Sequence, residues 1–383
     1  MKHLSPLLRL IYLLSIACVV ILLSCNDETT PPQPSPPIEE PEDTTTTSHD
    51  FTFLRLDTLG FSHSRLVDVQ IISDTDVWIA GELYIKDSTG KVDDITIFNA
   101  AHWDGQRWNI VKIPLLIFTG LEIYDRINTT ALYDSTTILF FGDVGGLTVL
   151  KNGNFEKKWL KERKGTPLRT VTIHRNIFLT GTDGSLTNYD GNKWELMKTG
   201  TDLTLTDVQG TSLNQMYSCG SDYSRGGGIV LRYDGLNWSP LIRSYLQSTG
   251  FDSSQFLKTQ LYGELESVWI DERDRLYVVG SYAYRYNKGK WELITSLPDN
   301  EKIKTVLRRG YLRAISGKRS NDIIVAGQRN TLMHYNGKEW KQLYGYVDIT
   351  NSRQWIELQW KKDLVVVVGH QGGEAIVLMM KRK

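Results

Sequence analysis

From Phe51 onward, short apolar runs alternate with turn signals, and three kinds of run recur in a fixed order. The most apolar kind ends in glycine: Val77-Trp78-Ile79-Ala80-Gly81, Ile138 to Gly142, Ile177 to Gly181, Met216 to Gly220, Leu276 to Gly280, Ile323 to Gly327 and Leu364 to Gly369. Continuous apolar runs of this length, bounded by turn residues, predict strands covered on both faces. Ahead of them lie shorter runs, seen as Leu66-Val67-Asp68-Val69, Leu168-Arg169-Thr170-Val171, Leu205-Thr206-Asp207-Val208, Leu265-Glu266-Ser267-Val268 and Leu312-Arg313-Ala314-Ile315. After them comes an aromatic, an Asp-Gly or Asn-Gly, a few polar residues and a tryptophan. This unit reads Trp103-Asp104-Gly105 to Trp108, Tyr189-Asp190-Gly191 to Trp194, Tyr233-Asp234-Gly235 to Trp238 and Tyr335-Asn336-Gly337 to Trp340, with variants at Asn152-Gly153 with Trp159 and at Lys288-Gly289 with Trp291. Asp-Gly and Asn-Gly favour turns whose two central residues both have positive φ, so each unit predicts a tight β-hairpin.

Counted together, each repeat holds four strands, a, b, c and d, and it recurs every ~40 to 60 residues, the mark of a β-propeller. The last repeat stops after its third strand, near Ala375 to Met380, while Phe51-Thr52-Phe53-Leu54-Arg55-Leu56 alternates apolar and polar residues ahead of the first repeat. Pairing these two ends completes the seventh blade and removes an open sheet edge. The expected fold is therefore all-β: one seven-bladed propeller of four-stranded blades, spanning residues 51–383 and closed by an N-terminal strand.

The chain before Phe51 has a different character. A basic start (Lys2, Arg9), an apolar run from Leu10 to Leu23 and small residues near its end have the layout of a secretory signal peptide over residues 1–24. The run ends in Leu22-Leu23-Ser24-Cys25, which resembles the bacterial lipobox and implies lipidation (palmitate) at Cys25. The competing reading, an uncleaved membrane anchor, requires ~20 apolar residues, more than this run supplies. Residues 26–50 hold six prolines, six threonines and seven acids with no lysine or arginine, the composition of an extended tether. Such a tether reaches about 75 Å at ~3.1 Å per residue. Asn26-Asp27-Glu28 is similar to the export signals of Bacteroidetes surface lipoproteins, so the expected location is the bacterial cell envelope, on an outer-membrane lipoprotein exposed at the cell surface. Of three cysteines, only Cys219 lies in the propeller, so no disulfide forms within it.

Over the whole mature chain the repeat resembles a broad group of bacterial secreted and lipid-anchored propellers built on Y-D-G-x-x-W. That resemblance implies the fold and leaves activity open. Sialidase boxes carry a serine and one residue between Asp and Gly, both lacking here. The Thr-Gly pattern of quinoprotein propellers is missing, and Trp103-Asp104 is the only WD-type pair.

The 44 basic and 44 acidic residues cancel, which excludes a nucleic-acid partner held by phosphate neutralisation unless the charge is segregated. Repeating tryptophans and turn aspartates are assigned to packing and turns, and function is sought where the repeat is broken. The long segments Glu82 to Asn99, Pro114 to Arg126, Ser221 to Gly228, Leu241 to Gly263 and Ser296 to Gly310 are all b-to-c or d-to-a connections, which open on one face of a propeller. That face and its channel mouth are the candidate site. Candidate ligand-binding residues there are Arg126, Arg169, Tyr223, Arg225, Tyr245, Arg309, Tyr311, Arg313 and Trp355, with Tyr84, Arg308 and Tyr344 beside them. Arginine mixed with tyrosine suits carboxylates, acidic sugars and protein partners.

The histidines are scattered, which predicts no metal site, and no cofactor motif is present. Asp68, Asp207, Glu266 and Glu357 are expected to face the channel. Two functions follow: a monomeric, non-catalytic binding or assembly module for a glycan or an envelope protein, which is favoured, and a carbohydrate-active hydrolase or lyase. Two carboxylates converging with two or three arginines at the mouth would favour the enzyme, and a flat aromatic and polar face would favour the binding module.

Overall fold

The computed structural model describes residues 45–92, 97–244, 261–287, 289–294, 312–345 and 350–383. Seven sheets, each of four antiparallel strands, follow one another along the chain. Their innermost strands, a, are Arg65–Ser73, Ile127–Asp134, Pro167–Ile173, Thr204–Ser212, Leu265–Ile270, Leu312–Arg319 and Gln354–Lys361, for blades one to seven in order. Each packs against the a strands of the neighbouring blades, and that of blade seven packs against that of blade one, so the ring is closed. Blade seven takes its outer strand from the N-terminal side: Phe51–Leu59 pairs antiparallel with Glu374–Arg382 over a register running from Phe51 opposite Arg382 to Leu59 opposite Ala375.

The continuous apolar runs are b strands, and both of their faces are buried. In Asp76–Leu83, Val77 and Ile79 join the core shared with blade seven, while Trp78 and Ala80 join the core shared with blade two. Alternation at period two divides one strand between two interfaces. Seven such apolar clusters fill the seven interfaces between neighbouring blades. The glycine that ends each run also has a physical cause. A Cβ on Gly369 would stand 1.9 Å from the Gln354 carbonyl oxygen of strand a, and one on Gly280 2.0 Å from that of Glu264, so strand a approaches too closely there for any side chain.

The Asp-Gly hairpins differ from expectation. Only the glycine has positive φ, as at Gly105 (92°) and Gly235 (98°), and the loops contain four residues, with Trp103 opposite Trp108 and Tyr233 opposite Trp238. The carboxylate does the work instead: Asp234 Oδ1 accepts the backbone N–H groups of Leu236 (2.8 Å) and Asn237 (2.7 Å), and Asp104 accepts those of Gln106 and Arg107. These bonds hold the Asp104 carboxyl down at about 2. The loop sets the following tryptophan against the aromatic residue opposite, with Tyr233 and Trp238 stacked at 5.0 Å, and turns it into the interface with the preceding blade.

Blade two shows the expected two-residue turn, Asn152 (49°) and Gly153 (78°), between Lys151 and Asn154, and blade five also closes its hairpin in two residues, between Asn287 and Lys290. Its tryptophan falls at the far end of strand d, where Trp159 pairs with Gly146.

Ahead of the closing strand, residues 45–50, grouped with the tether on composition, lie along blade six. Thr47 N–H donates to the Asn336 carbonyl (2.9 Å), and Asn321 donates to the Thr45 carbonyl (2.9 Å). Asn321 lies in an a-to-b turn and Asn336 in a c-to-d hairpin, so this strap runs on the face of the short turns, opposite the mouth.

Candidate functional site

All seven a strands carry a β-bulge one step from their start. In the pairing of strands a and b, one residue is skipped between Leu66 and Asp68, Ile127 and Thr129, Pro167 and Arg169, Leu205 and Asp207, Leu265 and Ser267, Leu312 and Ala314, and Trp355 and Glu357. A bulge re-aims the skipped side chain. Here the seven skipped residues, Val67, Asn128, Leu168, Thr206, Glu266, Arg313 and Ile356, all line one cavity of about 350 Å³ at the channel mouth, on the face of the b-to-c and d-to-a connections. Arg65, Arg126, Arg169, Gln354, Tyr223 and His370 complete its wall.

The residues after the bulges of blades one, four and seven are the carboxylates Asp68, Asp207 and Glu357. Asp68 and Asp207 serve as fasteners between blades. Asp68 Oδ1 accepts Val69 N–H, and its Oδ2 accepts the Thr129 and Thr130 hydroxyls and the Thr130 N–H of blade two. Asp207 Oδ1 accepts Val208 N–H, and its Oδ2 accepts the Ser267 hydroxyl (2.7 Å) and Val268 N–H (2.9 Å) of blade five. Glu357 also accepts its neighbour's N–H, from Leu358, while its other oxygen lies 2.5 Å from Arg169 Nε. Arg313 Nη1 lies 2.9 Å from Glu266 Oε2, and the Tyr223 hydroxyl donates to Glu266 Oε1 at 3.3 Å. Tyr223 is half exposed along its ring while its hydroxyl is enclosed beside Glu266.

Burial sets the protonation chemistry. Desolvation raises the carboxyls of Asp68, Asp207 and Glu266 above their ordinary range, against the pull of nearby arginines and N–H donors. Desolvation also pushes Glu357 up to about 8; Arg169 opposes this, and the charges of Asp68 and Asp207 add to it. Burial alone would push the Arg169 guanidinium down, but Glu357, Asp68, Asp207 and Glu266 around it carry it above its ordinary value. One guanidinium thus serves four carboxyls.

At the rim the order of charge is inverted. Side-chain exposure is 42% for Arg65 against 17% for its partner Glu82, and 29% for Arg313 against 8% for Glu266. Arg126 Nη2 lies 3.2 Å from Asp143 Oδ2, and Asn128 donates to the same carboxylate.

Arg126, Arg169, Tyr223 and Arg313, proposed from sequence, therefore meet in one cavity. Arg225 does not: it sits on the exposed tip of the turn after Asp222, to which its N–H donates. Trp355 is also displaced from the site. It precedes the bulge, so it points into the core between blades six and seven, fully buried, with Nε1 donating to Asn330 Oδ1 at 3.1 Å. The Tyr344 ring stacks with the Arg353 guanidinium, and Tyr84 N–H donates to Ser64. Tyr245, Arg308, Arg309, Tyr311 and Cys25 lie outside the described residues. Cys219 is buried, and burial pushes its thiol well up, as in an inert core cysteine. Among the described residues no three His, Cys, Asp or Glu side chains are grouped to hold a metal ion.

Sequence reasoning missed Arg65, Asn128, Gln354 and His370. The structure supplies what the sequence pattern lacked: aligning the a strands on the residue before each bulge puts Pro167, not Leu168, opposite Leu66 and exposes the ring of seven at once.

No family model and no curated protein matches the chain. Solved propellers do. A structure of YCF48 bound to D1 peptide aligns with a TM-score of 0.60 at 12% identity over 90% of this chain and 100% of that one. The WD40 propeller domain of Doa1 aligns at 0.56 with 12% identity over 85% and 96% of the two chains. The extracellular domain of BT4673 from B. thetaiotaomicron aligns at 0.53 with 14% identity over 84% of this chain and 39% of that one. Identities this low carry the fold alone.

Proposed function

We propose that the chain is a non-catalytic binding module whose channel mouth receives an acidic segment of a protein partner. One observation carries this reading: at the rim, Arg65 and Arg313 are each the more exposed member of their ion pair, so these two guanidiniums are offered to solvent while Glu82 and Glu266 sit deeper; in the third pair, Arg126 with Asp143, the carboxylate is the more exposed at 37% against 25%. A guanidinium fork matches an incoming carboxylate in two parallel bonds, and exchanging one carboxylate for another at a half-solvated pair costs little. The cavity, about 350 Å³, holds a few side chains rather than a domain. YCF48, of like fold, has been solved with a peptide bound. We further propose that the chain is anchored to the envelope by lipid at Cys25.

A random heptapeptide display library panned on the full chain tests this. The expected result is enrichment of peptides with two or more Asp or Glu, competed by salt and lost in Arg65→Gln/Arg126→Gln. Enrichment of neutral or basic peptides would overturn it, and competition by trigalacturonate at equal potency would transfer the site to acidic glycans.

A second reading, a glycoside hydrolase or polysaccharide lyase, is favoured by the convergence of Glu266 and Glu357 with Arg169 and Arg313, and by a Glu357 carboxyl that holds its proton up to about 8. Release of reducing ends from acidic polysaccharides, abolished by Glu266→Gln, would establish that function instead.

A further inference from the structure

Trp159 breaks the repeat. In the four-residue hairpins the tryptophan follows the loop and enters the interface between blades, but the two-residue turn at Asn152-Gly153 puts the outward-facing Glu156 three residues after the glycine and carries the tryptophan to the mouth end of strand d. A large aromatic displaced from its packing role is a candidate for another one. It forms a wall of a second cavity, about 380 Å³, on the mouth face between blades two and three, with Arg163, Gly165, Thr166 and Thr182.

Arg163 gives this cavity its chemistry. Its side chain is half-buried, with the guanidinium carbon 6.0 Å from the Trp159 ring centroid, and its one hydrogen bond among the described residues runs from Nη2 to the Asp143 carbonyl at 3.3 Å. Nε is buried with no acceptor. Burial pushes this guanidinium below its ordinary value, which is the cost of enclosing a charge without a close counterion. The carboxylate whose charge opposes this, Asp143, is engaged by Arg126 and Asn128 of the mouth. Gly145 makes the room: a Cβ there would stand 2.6 Å from Arg163 Nη2. Two cations, Lys161 and Arg163, line the cavity against one carboxylate, Asp183, and Phe118, 76% exposed, supplies an apolar lip 6.1 Å from the Trp159 ring.

We infer that this cavity is a second carboxylate subsite, holding an acidic side chain on the Arg163 guanidinium with an apolar neighbour against Phe118 and Trp159, and that it is filled by the same peptide that enters the mouth. Asp143 joins the two places, since its carboxylate bonds to Arg126 and Asn128 and its carbonyl to Arg163. An extended peptide places side chains two residues apart on one side, ~7 Å from each other, so acids at i and i+2 or i+4 would span them. The inference rests on the proposed binding function and specifies its ligand.

The test measures peptides enriched on the full wild-type chain, by fluorescence anisotropy, against Arg163→Gln, Arg163→Lys and Phe118→Ala, each first checked for an unchanged melting temperature. The expected outcome is a paired-acid motif on the wild type. Its affinity falls about 10-fold or more in Arg163→Gln, because a charge-assisted hydrogen bond is lost. The fall is smaller in Arg163→Lys, and in Phe118→Ala it is confined to peptides with the apolar neighbour. Peptides with a single acid that bind Arg163→Gln as tightly as wild type would sink the second subsite and leave the mouth standing. No acidic enrichment on the wild type would remove both.

Discussion

Glu357 provides the sharpest quantitative expectation. Its carboxylate lies 2.5 Å from Arg169 Nε with side-chain exposures of 15% and 18%, and a salt bridge of this geometry would by itself hold the carboxyl low. Burial, with Asp68 and Asp207 across the channel, overrules it and pushes the group up to about 8 from 4.5. A carboxyl raised in the folded state stabilises the fold fully below its unfolded pKa, and that contribution is lost as pH rises through the folded pKa. At about 1.4 kcal/mol per unit, the ceiling on the loss between pH 4.5 and 8 is about 5 kcal/mol. Glu357→Gln removes the titrating group while leaving an acceptor for Arg169. Urea unfolding followed by tryptophan fluorescence, at half-unit steps from pH 5 to 9, gives both profiles. The wild type should lose stability relative to the variant by about 1 kcal/mol per unit from pH 5 up to about 8 and hold level with it in slope above that. Parallel profiles, or a wild type that gains on the variant as pH rises, would refute the burial argument.

Three further outcomes follow from the same structure. His334 Nε2 donates to Asp322 Oδ1 (2.6 Å), which leaves its Nδ1 to accept from His49 Nδ1 (2.8 Å) in the strap. Burial lowers both imidazoles; for His49 the charges of His334, Lys341 and Arg382 add to it and Glu339 opposes, while Asp322 opposes for His334. Docking of the strap is therefore strongest above pH ~6.5 and weakens as pH falls below it; exchange of the Thr47 amide should accelerate from pH 7 to 5, although its intrinsic rate falls over that range, and His49→Gln should reduce that dependence to the part His334 carries. Gly369→Ala should cost about 3 kcal/mol or more in urea unfolding, because strand a must shift at the mouth, whereas Gly153→Ala, with open space around it, should cost about 1 kcal/mol. Asn336→Ala removes an acceptor for the Lys338 and Glu339 N–H groups and should cost about 1 kcal/mol, with Asn336→Asp restoring it.

How much of this was legible in the sequence depends on how local the cause is. The b strands and their terminal glycines announce themselves because burial on both faces recurs from blade to blade and the close pass of a backbone carbonyl acts at Gly81, Gly181, Gly220, Gly280 and Gly369. The closing strand Phe51–Leu59 was legible because the last repeat lacks a partner. The Asp-Gly turns were found for the wrong reason: the short side chain works as an acceptor for two N–H groups, and only the glycine needs positive φ. The mouth was half legible. Arg126, Arg169, Tyr223 and Arg313 stand out by residue type, but a bulge inverts the expected alternation, so Trp355 turns into the core while its neighbour Ile356 reaches the cavity. Arg163 had no signal of its own, since its environment is made by Trp159, Gly145 and the Asp143 carbonyl, which only the folded chain brings together.

The central claim, that the bulge-built mouth receives acidic peptide, is tested most directly by photo-crosslinking the full chain with a pool of acidic heptapeptides that carry benzoylphenylalanine, and reading the attachment sites by mass spectrometry. The account predicts adducts on the mouth, at Val67, Leu168, Ile356 and Tyr223, with loss of those adducts in Arg65→Gln/Arg126→Gln and in excess salt. Adducts scattered over the surface, or gathered on the short-turn face around the strap, would contradict it.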